Sequence, residues 1–189
     1  MYDLLILGML MAHDYSGYKL AHVLGQTLIP RRKISNGVMY PLLDRLEKEG
    51  YIQATEREVN GRRSKVMHIT DLGRQRFYDL MDEPIAQDAK RDDMYRFKFR
   101  GFGHIASDKQ LAILDEYQQI MQNELDDSLR AIKKLSKESQ CLPDERGYYE
   151  GSIHSIELDA KMHEAQLAWV AEMKEHIEDK LEEEKDDEA

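Results

Sequence analysis

Apolar positions dominate the start of the chain, where residues 4–12 read LLILGMLMA. A run with so few polar positions is the pattern of a helix buried in a core. It is too short to span a bilayer, follows Asp3 rather than a basic region, and offers no cleavage site of a secretory leader. The expected helix covers residues 2–12 and ends before His13-Asp14-Tyr15. Ser16 is placed to cap a second helix, GYKLAHVLGQTL, in which Tyr18, Leu20, Ala21 and Leu24 are spaced as a packing face. Gly25 should weaken its last turns, and Pro30 closes the segment. Ser35 or Asn36 can cap a third helix, whose Leu42, Leu43 and Leu46 face inward. Pro41 removes a backbone donor there and predicts a local bend, and Gly50 ends the helix. Thr70 or Asp71 then caps a fourth helix, GRQRFYDLM, ahead of Pro84.

Between the third and fourth helices the period changes from that of a helix to that of a strand. Asn60-Gly61 is a preferred pair for a two-residue turn, because both central positions need positive φ. Closing the turn there sets Ile52 opposite Ile69 and Ala54 opposite Met67, an apolar face at the root. Further out on the same face Glu56 meets Lys65 and Glu58 meets Arg63, opposite charges across the strands. A shifted register would not give apolar pairs at the root and charge pairs at the tip together. A short amphipathic helix followed at once by such a ribbon has the layout of a winged helix, which can put the helix in a DNA groove and the ribbon on the backbone.

The second half shows long helical periods. Ser107 with Gln110 is a capping-box signature. Positions 111, 114, 118, 121, 125, 128, 132 and 135 then carry Leu, Leu, Gln, Met, Leu, Ser, Ile and Leu, a heptad seam with two polar interruptions. After Pro143 a further helix runs from about Tyr148 to Leu181, with Ile153, Ile156, Ala160, Leu167, Val170, Ile177 and Leu181 on one stripe. Two long antiparallel helices with exposed seams call for a partner surface, and the competing arrangement folds the seam onto the chain's own first half. The fold class is therefore mainly α with a small β-hairpin. It divides into a winged helix-turn-helix over 1–81, a connecting segment over 82–106, a coiled-coil-like dimerisation domain over 107–181 and a disordered acidic tail over 182–189.

Charge sharpens this division. The chain is net −10, yet residues 1–73 hold ten Lys/Arg against eight Asp/Glu, leaving −12 on residues 74–189. An acidic remainder discourages indiscriminate binding to nucleic acid while the basic groups stay concentrated. Arg31, Arg32 and Lys33 precede the third helix, and Arg62, Arg63 and Lys65 crowd the hairpin tip. A lone basic triplet is usually a solvated turn; two triplets flanking one helix-hairpin unit are placed to meet phosphates on either side of a groove. Arg62, opposite Val59, is freer than Arg63 to do so. Double-stranded DNA is thus the expected partner, with Ser35, Asn36, Met39 and Tyr40 on the third helix facing it. Asn36 has the chemistry to read adenine, whereas the Tyr40 ring has equal claim to a place in the core. One cysteine, Cys141, excludes an internal disulfide framework and points to a reducing, cytoplasmic setting.

Several strings carry a resemblance. LLILGMLMAHDYSGYKLAHVL, SNGVMYPLLDRLEKEGYI and ITDLGRQRF resemble the N-terminal domain of PadR-type transcriptional regulators over roughly residues 2–81. The Ser-Gly-Tyr opening of the second helix, Tyr40-Pro41, the Leu-Glu-Lys-Glu-Gly-Tyr-Ile exit and Thr70-Asp71-Leu72-Gly73 carry it as a set. RDDMYRFKF resembles the entry to the C-terminal domain of the longer members. The resemblance implies a homodimeric winged-helix repressor, released from DNA by a small-molecule effector. From the namesake members it implies a phenolic acid in that role. A dimer would address half-sites roughly 34–36 Å apart in an inverted repeat.

Residues 94–104, MYRFKFRGFGH, are dense in aromatic and basic groups. Tyr95, Phe97, Lys98, Phe99 and Arg100 have the chemistry to stack an aromatic ring and hold an anion; the plainer alternative is that the rings cement a junction. His154 and His163 lie on or beside the inner stripe of the last helix, His154 as an effector-binding candidate and both as interior histidines on the plainer view. No enzymatic motif emerges: His163-Glu164 lacks the second histidine of a zinc protease, no glycine-rich phosphate loop occurs, and Cys141 has no base marked for it, redox sensing being the one chemistry open to it. No metal or cofactor is called for. The rival class is a protein-interaction adaptor that reuses a winged helix and coiled coil without binding DNA.

Overall fold

In the computed structural model, which describes residues 2–59 and 62–187, the apolar N-terminal run becomes helix α1 (Asp3–Ala12) and lies at the centre of the first unit. Leu4, Leu5, Ile6, Leu7, Met9 and Leu10 are all buried, so the helix is enclosed around most of its circumference. Each such side chain contributes roughly 1.5–3 kcal/mol on leaving water. Helix α2 (Gly17–Thr27) starts at Ser16, whose hydroxyl accepts from Lys19 N at 3.3 Å, as a capping serine should. Helix α3 (Asn36–Lys48) runs on through Pro41 and buries Met39, Leu43 and Leu46, spaced for one face. Gly50, at φ 78°, lets the chain leave α3: its N–H bonds to Glu47 O and that of Tyr51 to Leu46 O, closing the last turn.

The hairpin has the register expected from its turn. Strands β2 (Ile52–Val59) and β3 (Arg62–Ile69) pair Ile52 with Ile69, Ala54 with Met67, Glu56 with Lys65 and Glu58 with Arg63. Asn60 and Gly61, on which the turn type depends, lie outside the described residues. A third strand, β1 (Tyr15–Ser16), pairs with the other side of β3. At two residues it shows no alternation in the sequence, and only its neighbour makes it a strand. Helix α4 (Asp71–Asp82) is capped by Thr70, whose hydroxyl accepts from Gly73 N at 3.0 Å and donates to Gly50 O at 2.6 Å. Phe77 then reaches the core, where a Cβ added at Gly8 of α1 would lie only 3.1 Å from its ring.

Residues 82–106 do more than connect. They carry helix α5 (Arg91–Arg100), which packs on α1 within a unit spanning Met1–Ala106. The second unit, Ser107–Ala189, is a helical hairpin of α6 (Ser107–Cys141) and α7 (Arg146–Asp187). Lys174 with Asp115 and Gln118, Gln166 with Tyr117, and His163 with Glu124 set the helices antiparallel. The buried positions on α6 are Ile113, Leu114, Tyr117, Met121 and Leu125. Tyr117 thus takes the inward place that heptad counting gave Gln118: Leu114, Tyr117, Met121 and Leu125 also recur three or four apart, and the larger apolar ring is the one buried. The acidic segment expected to be disordered is helical through Asp187; its Glu and Lys residues are good helix formers. Among the described residues no helix is long and apolar enough to cross a membrane.

Candidate nucleic-acid interface

Burying Met39, Leu43 and Leu46 turns the opposite side of α3 outward. Ser35, Asn36, Val38 and Tyr40 are exposed at its N-terminal end, the last two at 47% each. Met39 is only 1% exposed, which removes it from the set of DNA-facing residues. One position is 100° of helix rotation, enough to exchange an outward apolar side chain for an inward one. The outward apolar side chain is Val38, suited to a thymine methyl group. Its neighbours Met39, Leu43 and Leu46, repeating at i, i+4 and i+7, were the sequence signal that would have set it apart. Ser35 caps through its backbone carbonyl, which accepts from Val38 and Met39, and its side chain makes no capping bond.

The basic segment ahead of α3 is held by a close backbone approach. Arg32 N donates to Gly25 O at 3.1 Å, and a Cβ on Gly25 would lie 2.2 Å from Arg32 O. Gly25 therefore lets the loop lie against α2, a more specific role than weakening its last turns. Arg32 and Lys33 line a concave surface of about 310 Å³ with Ile34, Asn36, Tyr18, Ala21, His22 and Gln26. Tyr18 stands 79% exposed at its edge, not in the packing face that its spacing predicts. Tyr18, which reads as a packing residue in the sequence, and His22, which carries no signal there, are thus additional polar groups on α2 beside the basic loop.

On the ribbon, Lys65 is exposed, whereas Arg62 and Arg63 have side chains outside the described residues. Arg57 adds a cation on β2, 3.7 Å from the Asp14 carboxylate. At the other end of α3, Arg45 bonds Asp3 of α1 at 2.6 Å and Glu49 at 2.9 Å, and Glu47 accepts from Ala54 N at 3.1 Å. These bonds tie α3 to the core helix on one side and to the ribbon on the other. The Asp3 and Glu49 carboxylates raise the Arg45 guanidinium above its ordinary value, so it stays charged.

Residues 6–79 match the transcriptional regulator PadR-like family. The chain belongs to that family. It is accordingly a PadR-like transcriptional regulator with a winged helix-turn-helix in its first unit. Among solved structures it is similar to smu.1704 of Streptococcus mutans, at 31% identity over 55% of this chain and 89% of that one, with a TM-score of 0.37. It is also similar to Bacillus subtilis PadR in complex with operator DNA, at 19% identity over 93% and 96%, with a TM-score of 0.41. The same protein in complex with p-coumaric acid matches at 19% identity over 94% and 98%, with a TM-score of 0.39. A comparison with curated proteins gives no match.

The aromatic-basic segment of this PadR-like chain is largely core. Tyr95 and Phe97 are buried, and Lys98 is 3% exposed with its ammonium donating to Glu83 O at 2.7 Å. Tyr95 and Lys98 thus pack in the core and do not line the cavity that Phe97 and Arg100 reach. Edge-on and tilted ring pairs link Tyr2 with Phe97, Tyr95 with Phe99, and Phe99 with Phe102. Phe97 and Arg100 do reach a cavity of about 170 Å³, between α1, Tyr15, Val23, Gly101 and His104. Burial, and secondarily Arg74, holds the His104 imidazole below its ordinary value. In the second unit His154 is exposed on α7 and not interior, while His163 is half-buried, 3.1 Å from Gln166 and 3.7 Å from Glu124. A backbone turn of one residue decides such placements, and stripe membership alone does not.

Proposed function

We propose that this PadR-like regulator is a homodimeric repressor that binds an inverted-repeat operator and is released by a small-molecule effector. The observation that carries the DNA half is the exposed start of α3, where Ser35, Asn36, Val38 and Tyr40 stand beside Arg31, Arg32 and Lys33. Helix α3 enters the major groove, Asn36 and Val38 face base edges, and the basic loop and the wing cations Arg62, Arg63 and Lys65 hold phosphates. Dimerisation is supported by α7, where Leu158, Met162 and Trp169 form an exposed apolar stripe. The effector is a small aromatic acid, the phenolic class expected from the family resemblance. The cavity beside Phe97, Arg100 and His104 offers it a ring surface and a cation.

The test is a salt-dependent titration of the full chain against its own upstream DNA and a scrambled control. Specific binding at tens of nanomolar, with one dimer per inverted repeat, is the expected result. Binding no tighter than to the control returns the protein to the adaptor class. Isothermal titration with p-coumarate tests the effector: heat together with release from DNA supports a phenolic acid, and neither removes it.

A further inference from the structure

DNA contact as proposed uses the wing tip but gives no role to His68 at the wing root. His68 lies on β3, opposite Gln53 of β2. Its Nδ1 is 2.9 Å from Asp14 Oδ2, and its Nε2 is 2.6 Å from Thr55 Oγ1. Asp14 belongs to neither strand; it sits in the short connection between α1 and β1. The same carboxylate oxygen faces Arg57 of β2 at 3.7 Å. One cluster therefore joins the end of the core helix to both strands of the wing.

The hydrogen-bond chemistry closes in either protonation state of the ring. Asp14 accepts from Nδ1–H, which leaves Nε2 of the neutral ring as an acceptor for the Thr55 hydroxyl. A protonated ring donates at Nε2 instead, and the Thr55 hydroxyl rotates to accept. The position in the sheet gives the cluster its leverage. Strand β1 supports β3 only at Val66 and Met67, so the ribbon beyond that point is two-stranded. A two-stranded ribbon has little stability of its own, and its direction is set where it is rooted.

We propose that His68 is a positioning residue for DNA binding, aiming the wing through its bonds to Asp14 and Thr55. This rests on the DNA-binding reading above. The cluster is partly exposed, so its contribution to overall stability is small, whereas a wing swung away from the duplex no longer reaches its phosphates. Each phosphate left without its cation lowers the dependence of log binding on log salt by about 0.9.

The experiment titrates the full chain with its upstream DNA at several salt concentrations, using wild type, His68→Ala, His68→Asn and Thr55→Val. Asparagine keeps a donor near the place of Nδ1, so it retains the Asp14 bond. The expected result is about tenfold weaker binding and a salt slope lower by about one for His68→Ala, with a near-unchanged melting temperature. His68→Asn should recover most of the affinity, and Thr55→Val should fall between them. Wild-type affinity and slope in His68→Ala would overturn the proposal. So would equal losses in His68→Ala and His68→Asn accompanied by equal drops in melting temperature, which mark a structural role only. Failure of the wild type to prefer its upstream DNA would instead bring down the DNA-binding reading, and this proposal with it.

Discussion

The two units of this chain use apolar residues in opposite ways. The first wraps α1 on most sides, so Leu4, Leu5, Ile6 and Leu7 are covered by the unit's own elements. The second has two helices and buries one stripe of each, leaving Leu158 61% and Met162 55% exposed on α7. A helix pair has one mutual face, whereas a central helix ringed by others has no face left over. The first unit thus covers its central helix by itself, whereas the second leaves an apolar stripe of α7 exposed.

Truncating Phe77 to alanine should break the first unit most severely. It is fully buried against Gly8 of α1, and about 3–5 kcal/mol should be lost in denaturant unfolding. Charging the α7 stripe with Leu158→Lys and Met162→Lys should instead spare folding and cost about 2 kcal/mol or more of association. Sedimentation would show a monomer with unchanged helicity; a dimer that survives both changes would place the interface elsewhere.

Gly25→Ala sharpens the contrast within the first unit itself. Its methyl would collide with Arg32 O, so about 1–3 kcal/mol of stability should go, and DNA binding should weaken as the basic loop shifts. Arg32→Ala and Lys33→Ala, both exposed, should leave the melting temperature alone and each lower the salt slope by about one. The smallest effect belongs to His104. Its folded pKa lies below the ordinary 6.5, so the folded chain takes up a proton there less readily than the unfolded one. Stability should be whole above about pH 6.5 and decline as pH falls from there through the lowered value. Melting curves between pH 8 and 5 should show a shallower decline in His104→Gln.

The sequence was most legible where local chemistry admits one answer. A turn at Asn60-Gly61 leaves one register for the ribbon, and the observed pairs follow it from Ile52 to Val59. Ser16, Gly50 and Thr70 end or begin their helices through bonds to residues within a few positions. The interface was less legible. Met39 and Val38 are adjacent and both apolar, and the direction of the core separates them. Lys98 looks like a surface cation by residue type, yet its stem fills the core and its head reaches Glu83 O. The acidic end of α7 reads as a disordered tail by its charge, yet it is helical through Asp187, since Glu and Lys also suit a helix.

Periodicity, caps and the turn pair determined the order of elements and the register of the ribbon, because each depends on residues close along the chain, while the family showed in the resemblance of whole strings such as SNGVMYPLLDRLEKEGYI. The tertiary structure decided that Tyr15 and Ser16 form a strand, that Gly25 must be small, and that Asp14, Thr55 and His68 meet. Those outcomes depend on neighbours far away in sequence, and a side chain's exposure is a property of what packs against it.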